Sequence, residues 1–379
     1  MKQIPRPFTH HRHPAEIIRN FTPNWFTVTM GTGVLALALN QLPGAPVAVH
    51  DAAALLWRVN ILLFALCTLL YAARWLFHPR EAARIFAHPV MPMFLGAIPM
   101  GLATIVNGLV VFAGRTSLAL ALWQVDAVLA ALIGLAVPYL MFTRQQHSMD
   151  SMTAVWLLPI VACEVTAASG GLLIPHLAAP EGLRLLVTCY VFWALSVPLA
   201  LGILVILFLR LALHKLPRRD MAVSSWLALG PLGTGALGLL VLGRDAPAVL
   251  GPAGLADAAV AAHGLGLIGG LVLWAYGAWW LLMAVAITLS YFRQGLPFNM
   301  GWWGFTFPLG VFTLATYALA PQTGMSIFTT LGAILTAALA AFWGVVMART
   351  CIGGYHGHLF TAPCLAKSSA LAPGMAASR

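Results

Sequence analysis

The chain has 379 residues, 61% of them hydrophobic and only 8% charged. A water-facing domain carries roughly a quarter charged residues, so this composition excludes an ordinary soluble protein and leaves lipid as the main solvent. The net charge of +10 does not indicate a nucleic-acid partner, because the basic residues sit in separate short loops without a continuous stripe or aromatic interleaving.

The first 20 residues are polar and basic and lack an apolar core followed by a cleavage site. They read as a cytoplasmic tail ahead of a retained helix. Apolar runs bounded by proline, glycine and charge then give ten segments: 22–42, 53–77, 90–113, 118–142, 152–178, 184–211, 224–243, 259–293, 303–321 and 325–350. Connections are short, so consecutive helices are expected as antiparallel hairpins. The fold class is therefore an all-α polytopic membrane protein, with ten transmembrane helices as five quasi-repeated hairpins around a central pore. Residues 352–379 are small and polar and are expected to be disordered. His10, His11 and His13 in one tail and His356 and His358 in the other allow weak metal binding, but solvated basic tails are the preferred reading. Cys67, Cys163, Cys189, Cys351 and Cys364 show no metal-type spacing, so no disulfide framework, metal or cofactor is expected.

Charge orients the spans. With the N-terminus in the cytoplasm, sixteen of the twenty Lys and Arg residues fall on the inner side, and only Arg58, Arg115, Arg184 and Arg244 fall outside. That asymmetry requires an even number of spans with both termini cytoplasmic.

The odd segments share a pattern. Phe94 to Gly101 reads F-L-G-A-I-P-M-G, Trp226 to Gly233 reads W-L-A-L-G-P-L-G, and Trp303 to Gly310 reads W-G-F-T-F-P-L-G. The first segment carries Trp25, Met30, Gly31 and Gly33, and the fifth carries Trp156 and Pro159. Positions 30, 99, 159, 231 and 308 are spaced 60 to 77 residues apart, about one hairpin each. Proline inside a helix removes a hydrogen bond and kinks it, and in hydrocarbon the freed carbonyls need protein or a water-filled cavity. The pore kinks are thus assigned to Met30, Gly31, Pro99, Gly101, Pro159, Pro231, Gly233, Pro308 and Gly310. The bland alternative is that proline and glycine are common in membrane helices, as Pro138 and Pro198 on even segments illustrate.

Each kink starts a half-helix whose partly positive N-terminal end favours an anion without a buried cation. No Lys or Arg occupies the middle of an odd segment, so hydroxyls including Thr32, Thr104 and Thr234 become pore-lining candidates. Helix–helix hydrogen bonding is the competing role for such residues. Glu164, mid-span in the fifth segment, is a candidate pH-sensing or pore-lining acid. A bare carboxylate there would repel an anion, so a protonated or paired state is expected; a packing role is the equal alternative. For Asp126 the packing role is preferred. On residue type alone Phe307 reads as core packing, with a dry gate as the alternative.

The blocks Asn20–Gly33, His88–Gly108, Met152–Gly171, Gly230–Gly235 and Trp302–Gly310, in this order, resemble the tellurite-resistance/dicarboxylate transporter family (the voltage-dependent, slow anion channel fold). That family includes fungal sulfite efflux pumps, malate permeases and the slow anion channels of plant guard cells. The blocks at His88, Met152 and Gly230 are most similar to the sulfite-pump branch. The resemblance implies a homotrimer with one pore per protomer, lined by the five odd helices and occluded by a phenylalanine matching Phe307. It implies small-anion transport across the plasma (inner) membrane, sulfite export first and C4-dicarboxylate (malate) or tellurite as alternatives, with proton-coupled carriage as an option beside a passive channel. No H-E-x-x-H or G-x-S-x-G motif supports an embedded enzyme.

Overall fold

The computed structural model describes His13 and residues 15–365. Twelve α-helices carry the described chain: α1 Ala15–Asn20, α2 Thr27–Asn40, α3 Val47–Phe77, α4 Pro79–Ala82, α5 Ala97–Val111, α6 Thr116–Thr143, α7 Leu158–Gly171, α8 Ala179–His214, α9 Leu229–Leu250, α10 Ala256–Phe292, α11 Phe307–Thr323 and α12 Ser326–His356. No strand occurs among the described residues.

The helices form two layers. α2, α5, α7, α9 and α11 make an inner ring in which each packs on the next, and α11 closes the circle against α2. α3, α6, α8, α10 and α12 stand outside, each against the inner helix it adjoins in sequence. Burial separates the layers: 67–94% of the apolar window is buried in the inner spans of α5, α7, α9 and α11, against 22–28% in the outer helices. Leu62, Leu66, Leu69 and Leu76 project from α3 more than half exposed, as do Leu132, Leu135 and Phe142 from α6. Such stripes are stable only where the solvent is itself apolar, so the outer layer faces lipid. The chain is a multi-pass membrane protein.

Nine helices among the described residues are long and apolar enough to cross a bilayer. The first expected span is not one of them. α2 has 14 residues and a four-residue 3-10 lead-in, Pro23–Phe26, and its threonines, glycines and terminal asparagines dilute its hydropathy. It is nevertheless almost wholly buried in the inner ring.

Every inner helix has the same build, and it differs from the expected kink. A 3-10 segment (Pro23–Phe26, Met91–Gly96, Ala154–Leu157, Arg219–Ala228, Met300–Phe305) leads into the α-helix. Pro159 and Pro308 are the second residues of α7 and α11, and Pro99 and Pro231 the third residues of α5 and α9. In the first turn a proline lacks only an N–H that has no helical partner anyway, so it initiates the helix and does not bend it. The irregularity lies before the prolines, which explains why α2 has it with Met30 in the proline position.

The tails also depart from expectation. α1 docks through a two-pronged ion pair from Arg19 to Glu81, at 2.6 and 2.7 Å. α12 runs on to His356, and Gly357, at φ +86°, turns the chain back. Leu359, Phe360 and Ala362 are then buried, with Phe360 stacked on Trp25 at 4.7 Å between ring centres. Disorder from residue 352 therefore does not hold as far as 365, because three apolar side chains find a partner surface. His10, His11 and residues 366–379 lie outside the described residues.

Candidate functional site: the axial path

Two cavities lie at the two ends of the inner ring: all five inner helices line the one at their C-terminal ends, while the other is lined by α2, α7 and α11 and by all five 3-10 lead-ins. The larger, about 440 Å³, is at the N-terminal ends and takes Met30, Phe94, Leu158, Leu227 and Phe307 as walls. The smaller, about 190 Å³, is at the C-terminal ends, against Leu37, Asn107, Ala168, Leu237 and Leu314. Helical periodicity joins them. Met30, Val34 and Leu37 share one face of α2, Phe307, Val311 and Leu314 one face of α11, and Leu227, Gly230, Thr234 and Leu237 one face of α9 and its lead-in. By the same spacing Val34, Val311, Gly230 and Thr234, with Val161 and Val165 of α7, fall on the faces between the two cavities. All are buried and none is ionisable. This stretch, the neck, is apolar but for the Thr234 hydroxyl.

Phe307 opens α11, is 3% exposed, and forms part of the wall of the larger cavity, on the face that continues down the neck. Pro308 and Met30 touch the same cavity. The kink glycines do something else. A methyl carbon on Gly31 would lie 2.2 Å from Thr306 Oγ1, on Gly101 2.4 Å from Thr29 Oγ1, on Gly233 2.7 Å from the Phe312 backbone nitrogen, and on Gly310 2.4 Å from Val34 Cγ1. These residues let the inner helices touch; they do not line the path. Gly230 behaves oppositely: it is buried, yet a methyl carbon there meets nothing within 4 Å. It faces the void, a role that the motif Gly230–Gly235 held but composition could not reveal.

The hydroxyls divide similarly. Thr32 accepts a hydrogen bond from Trp343 Nε1 of α12 at 3.0 Å, and Thr104 accepts one from Asn60 Nδ2 of α3 at 3.1 Å. Both are glue between layers. Thr234 donates to the Gly230 carbonyl at 2.9 Å and lies on the axial face. Asp126 accepts from Thr166 at 2.8 Å and joins α6 to α7. Glu164 is fully buried beside Ser196 of α8, lines neither cavity, and receives no hydrogen bond on either carboxyl oxygen, since the Ser196 hydroxyl is directed to the Ile160 carbonyl at 2.8 Å. Glu164→Gln is expected to leave the pH profile of transport as in the unmodified chain; a profile flattened by this isosteric change would place Glu164 on the path after all.

His88 is a residue whose block was recognisable but whose task was not. Its Nδ1 accepts from the backbone N–H groups of Val90 and Met91, 3.1 Å each, and so shapes the lead-in that walls the larger cavity. Only the neutral ring can accept there. Half-burial also holds its pKa below the ordinary 6.5. A base whose pKa is lowered by folding contributes stability that is complete above its ordinary value and is lost as pH falls through it, because the unfolded chain then binds a proton that the folded chain refuses. Thermal stability in detergent is expected to fall from neutral pH to about pH 5, within the usual histidine range. His88→Ala should be less stable at neutral pH and show a flatter slope, with the desolvated His147 supplying the remainder in the same direction.

No Lys or Arg among the described residues lines the larger cavity. Arg244 lines the smaller one, because α9 continues to Leu250, two turns beyond the end of the apolar run. The expectation of a path without a cationic group is corrected at this mouth.

A closed ring of five inner helices, wrapped by an apolar outer layer and bearing a cavity at each end, fits a membrane channel or transporter. The match to the family model of the voltage-dependent anion channel (SLAC1) covers residues 20–351, and the chain belongs to that family. It is 39% identical to the sulfite efflux pump SSU1 of Arthroderma otae, over 88% of this chain and 90% of the relative. It is 30% identical to an uncharacterized transporter of Methanocaldococcus jannaschii, over 90% and 97%. A malic acid transport protein of Schizosaccharomyces pombe is more distant, at 20% identity over 88% and 78%. The chain is an anion-transporting membrane protein.

Proposed function

We propose that this chain exports small inorganic anions, sulfite first, through the axis of its inner ring. The observation that carries the reading is the stretch between the two cavities, whose named residues include no ionisable side chain. It has no group to bind cargo tightly, so it suits fast passage of a small ion between wider mouths. The 39% identity to a sulfite efflux pump supports sulfite as that ion. In this reading Phe307 is the ring that closes the neck from the larger cavity, and α2 with its lead-in is the tenth span, so that ten spans form five hairpins with both termini cytoplasmic. The larger cavity then opens to the cytoplasm, where the N-terminal ends of α2, α7 and α11 present partly positive backbone to an incoming anion. The resemblance to the family supports a homotrimer of separate pores in the plasma (inner) membrane.

C4-dicarboxylate transport is the second reading, favoured by Arg244 at the far mouth, a cation that a carboxylate would use. Purified chain in liposomes separates the two, with sulfite, malate, nitrate and chloride fluxes compared with and without a pH gradient. Sulfite is expected to cross faster than malate, without need of the gradient. Malate flux above that of sulfite, or flux strictly tied to the gradient, would overturn the first reading.

A further inference from the structure

The smaller cavity holds an arrangement that the neck lacks. Arg244 lies one helical turn beyond Val241 and two beyond Leu237, and all three line this mouth. Its guanidinium is gripped by the neighbouring Asp245, with Nε to Oδ1 at 2.7 Å and Nη2 to Oδ2 at 2.8 Å. The acid is the more buried partner, 14% exposed against 49% for the arginine, so it fixes the fork while about half of the arginine side chain stays exposed at this mouth. Of five guanidinium N–H donors, two are used on the acid and three remain. Asn107 of α5 lines the same cavity and accepts the Ser169 hydroxyl on Oδ1 at 2.5 Å, which leaves its NH₂ group as its free donor. Gln41 adds a second amide to the same wall.

We propose that Arg244, with Asn107, forms a binding site for doubly charged oxyanions at this mouth, and that Asp245 is its positioning residue. The inference rests on the axial path proposed above. A guanidinium fork and an amide donor at one mouth match an ion with several acceptor oxygens better than a spherical halide. Valence adds to the preference, because the Coulomb energy doubles with the charge of the ion. Asp245 offsets part of the cation's charge, which keeps the site weak enough for the ion to leave. A pore needs both properties, since a site that binds strongly becomes a trap. The open surroundings place the interaction near its water-like limit.

The test is concentration-dependent flux through the reconstituted full chain, with sulfite at mildly alkaline pH and with chloride, each added on the side of the smaller cavity. At low ionic strength and subsaturating anion, Arg244→Gln is expected to lower chloride flux about fivefold and dianion flux about 25-fold, since doubling the energy squares the ratio. Both effects should shrink as added salt screens the charge. Arg244→Lys, which keeps the charge and loses the fork, should restore most of the chloride flux and only part of the sulfite flux. Asp245→Asn should act in the opposite sense and lower the half-saturating sulfite concentration. Equal losses for both anions in Arg244→Gln, or no loss, would overturn the site. If Phe307→Ala still leaks in the same preparation, the axial path survives that failure. If Phe307→Ala does not leak but the valence effect is present, the gate fails and the site stands.

Discussion

Phe307→Ala is expected to raise anion conductance at least about tenfold, which corresponds to removing about 1.4 kcal/mol from the barrier. The figure is a lower bound. A small anion entering an apolar constriction sheds water at a cost of several kcal/mol, and truncating the ring lets water in with the ion. The side chain is 3% exposed, but one side of it borders the larger cavity and not packed protein. Truncation should therefore cost less than the roughly 3–5 kcal/mol typical of a core phenylalanine. Conductance in planar bilayers, with melting temperature in detergent as the control for folding, checks both parts. Unchanged conductance in a folded variant would remove Phe307 from the gate.

The second large effect separates two glycines on α9 that lie three residues apart. A methyl carbon on Gly233 would stand 2.7 Å from the backbone nitrogen and 2.9 Å from the Cα of Phe312. Backbone cannot rotate out of the way as a side chain can, so Gly233→Ala must push α11 off α9 and open the ring. Overpacking of this kind costs about 1–3 kcal/mol or more, and a clear fall in melting temperature and yield is expected. Gly230→Ala meets no atom within 4 Å, and alanine is the better helix former by up to about 1 kcal/mol. It should fold at least as well as the unmodified chain and conduct less, with Gly230→Val conducting less again. If the two glycines respond alike, in stability or in flux, the assignment of faces on α9 is wrong.

Helix bounds were legible because they depend on hydropathy, which the sequence carries directly: the expected 118–142 became Thr116–Thr143, and 259–293 became Ala256–Phe292. The repeated tryptophan–proline–glycine pattern also marked the right five helices. Its local meaning was not legible. Proline within an apolar run looks like a kink whether it sits in a helix interior or in its first turn, and only the backbone shows the 3-10 lead-in that makes it the latter. The same limit applies to small residues. Gly230 and Gly233 are the same chemical object, and which one faces a void depends on how α11 approaches α9. Thr32 and Thr234 differ for the same reason, one held by Trp343 of the outer layer and the other by the Gly230 carbonyl of its own helix. Arg244 was misplaced by a different cause: the apolar run ends at Gly243, but the helix does not, and a cation assigned to a loop stands instead on the wall of a cavity. The burial of Leu359 and Phe360 escaped notice because two apolar residues make no periodic pattern.

Covalent block of the neck tests the axial path most directly. Gly230→Cys, in a Phe307→Ala background with Cys67, Cys163, Cys189, Cys351 and Cys364 replaced by serine or alanine, places one thiol where a side chain has open space around it. Treatment with a small, thiol-specific reagent, followed by mass spectrometry to measure the extent of labelling, is expected to abolish most sulfite flux in proportion to labelling. Complete labelling with sulfite flux unaffected would contradict an anion path through the inner ring.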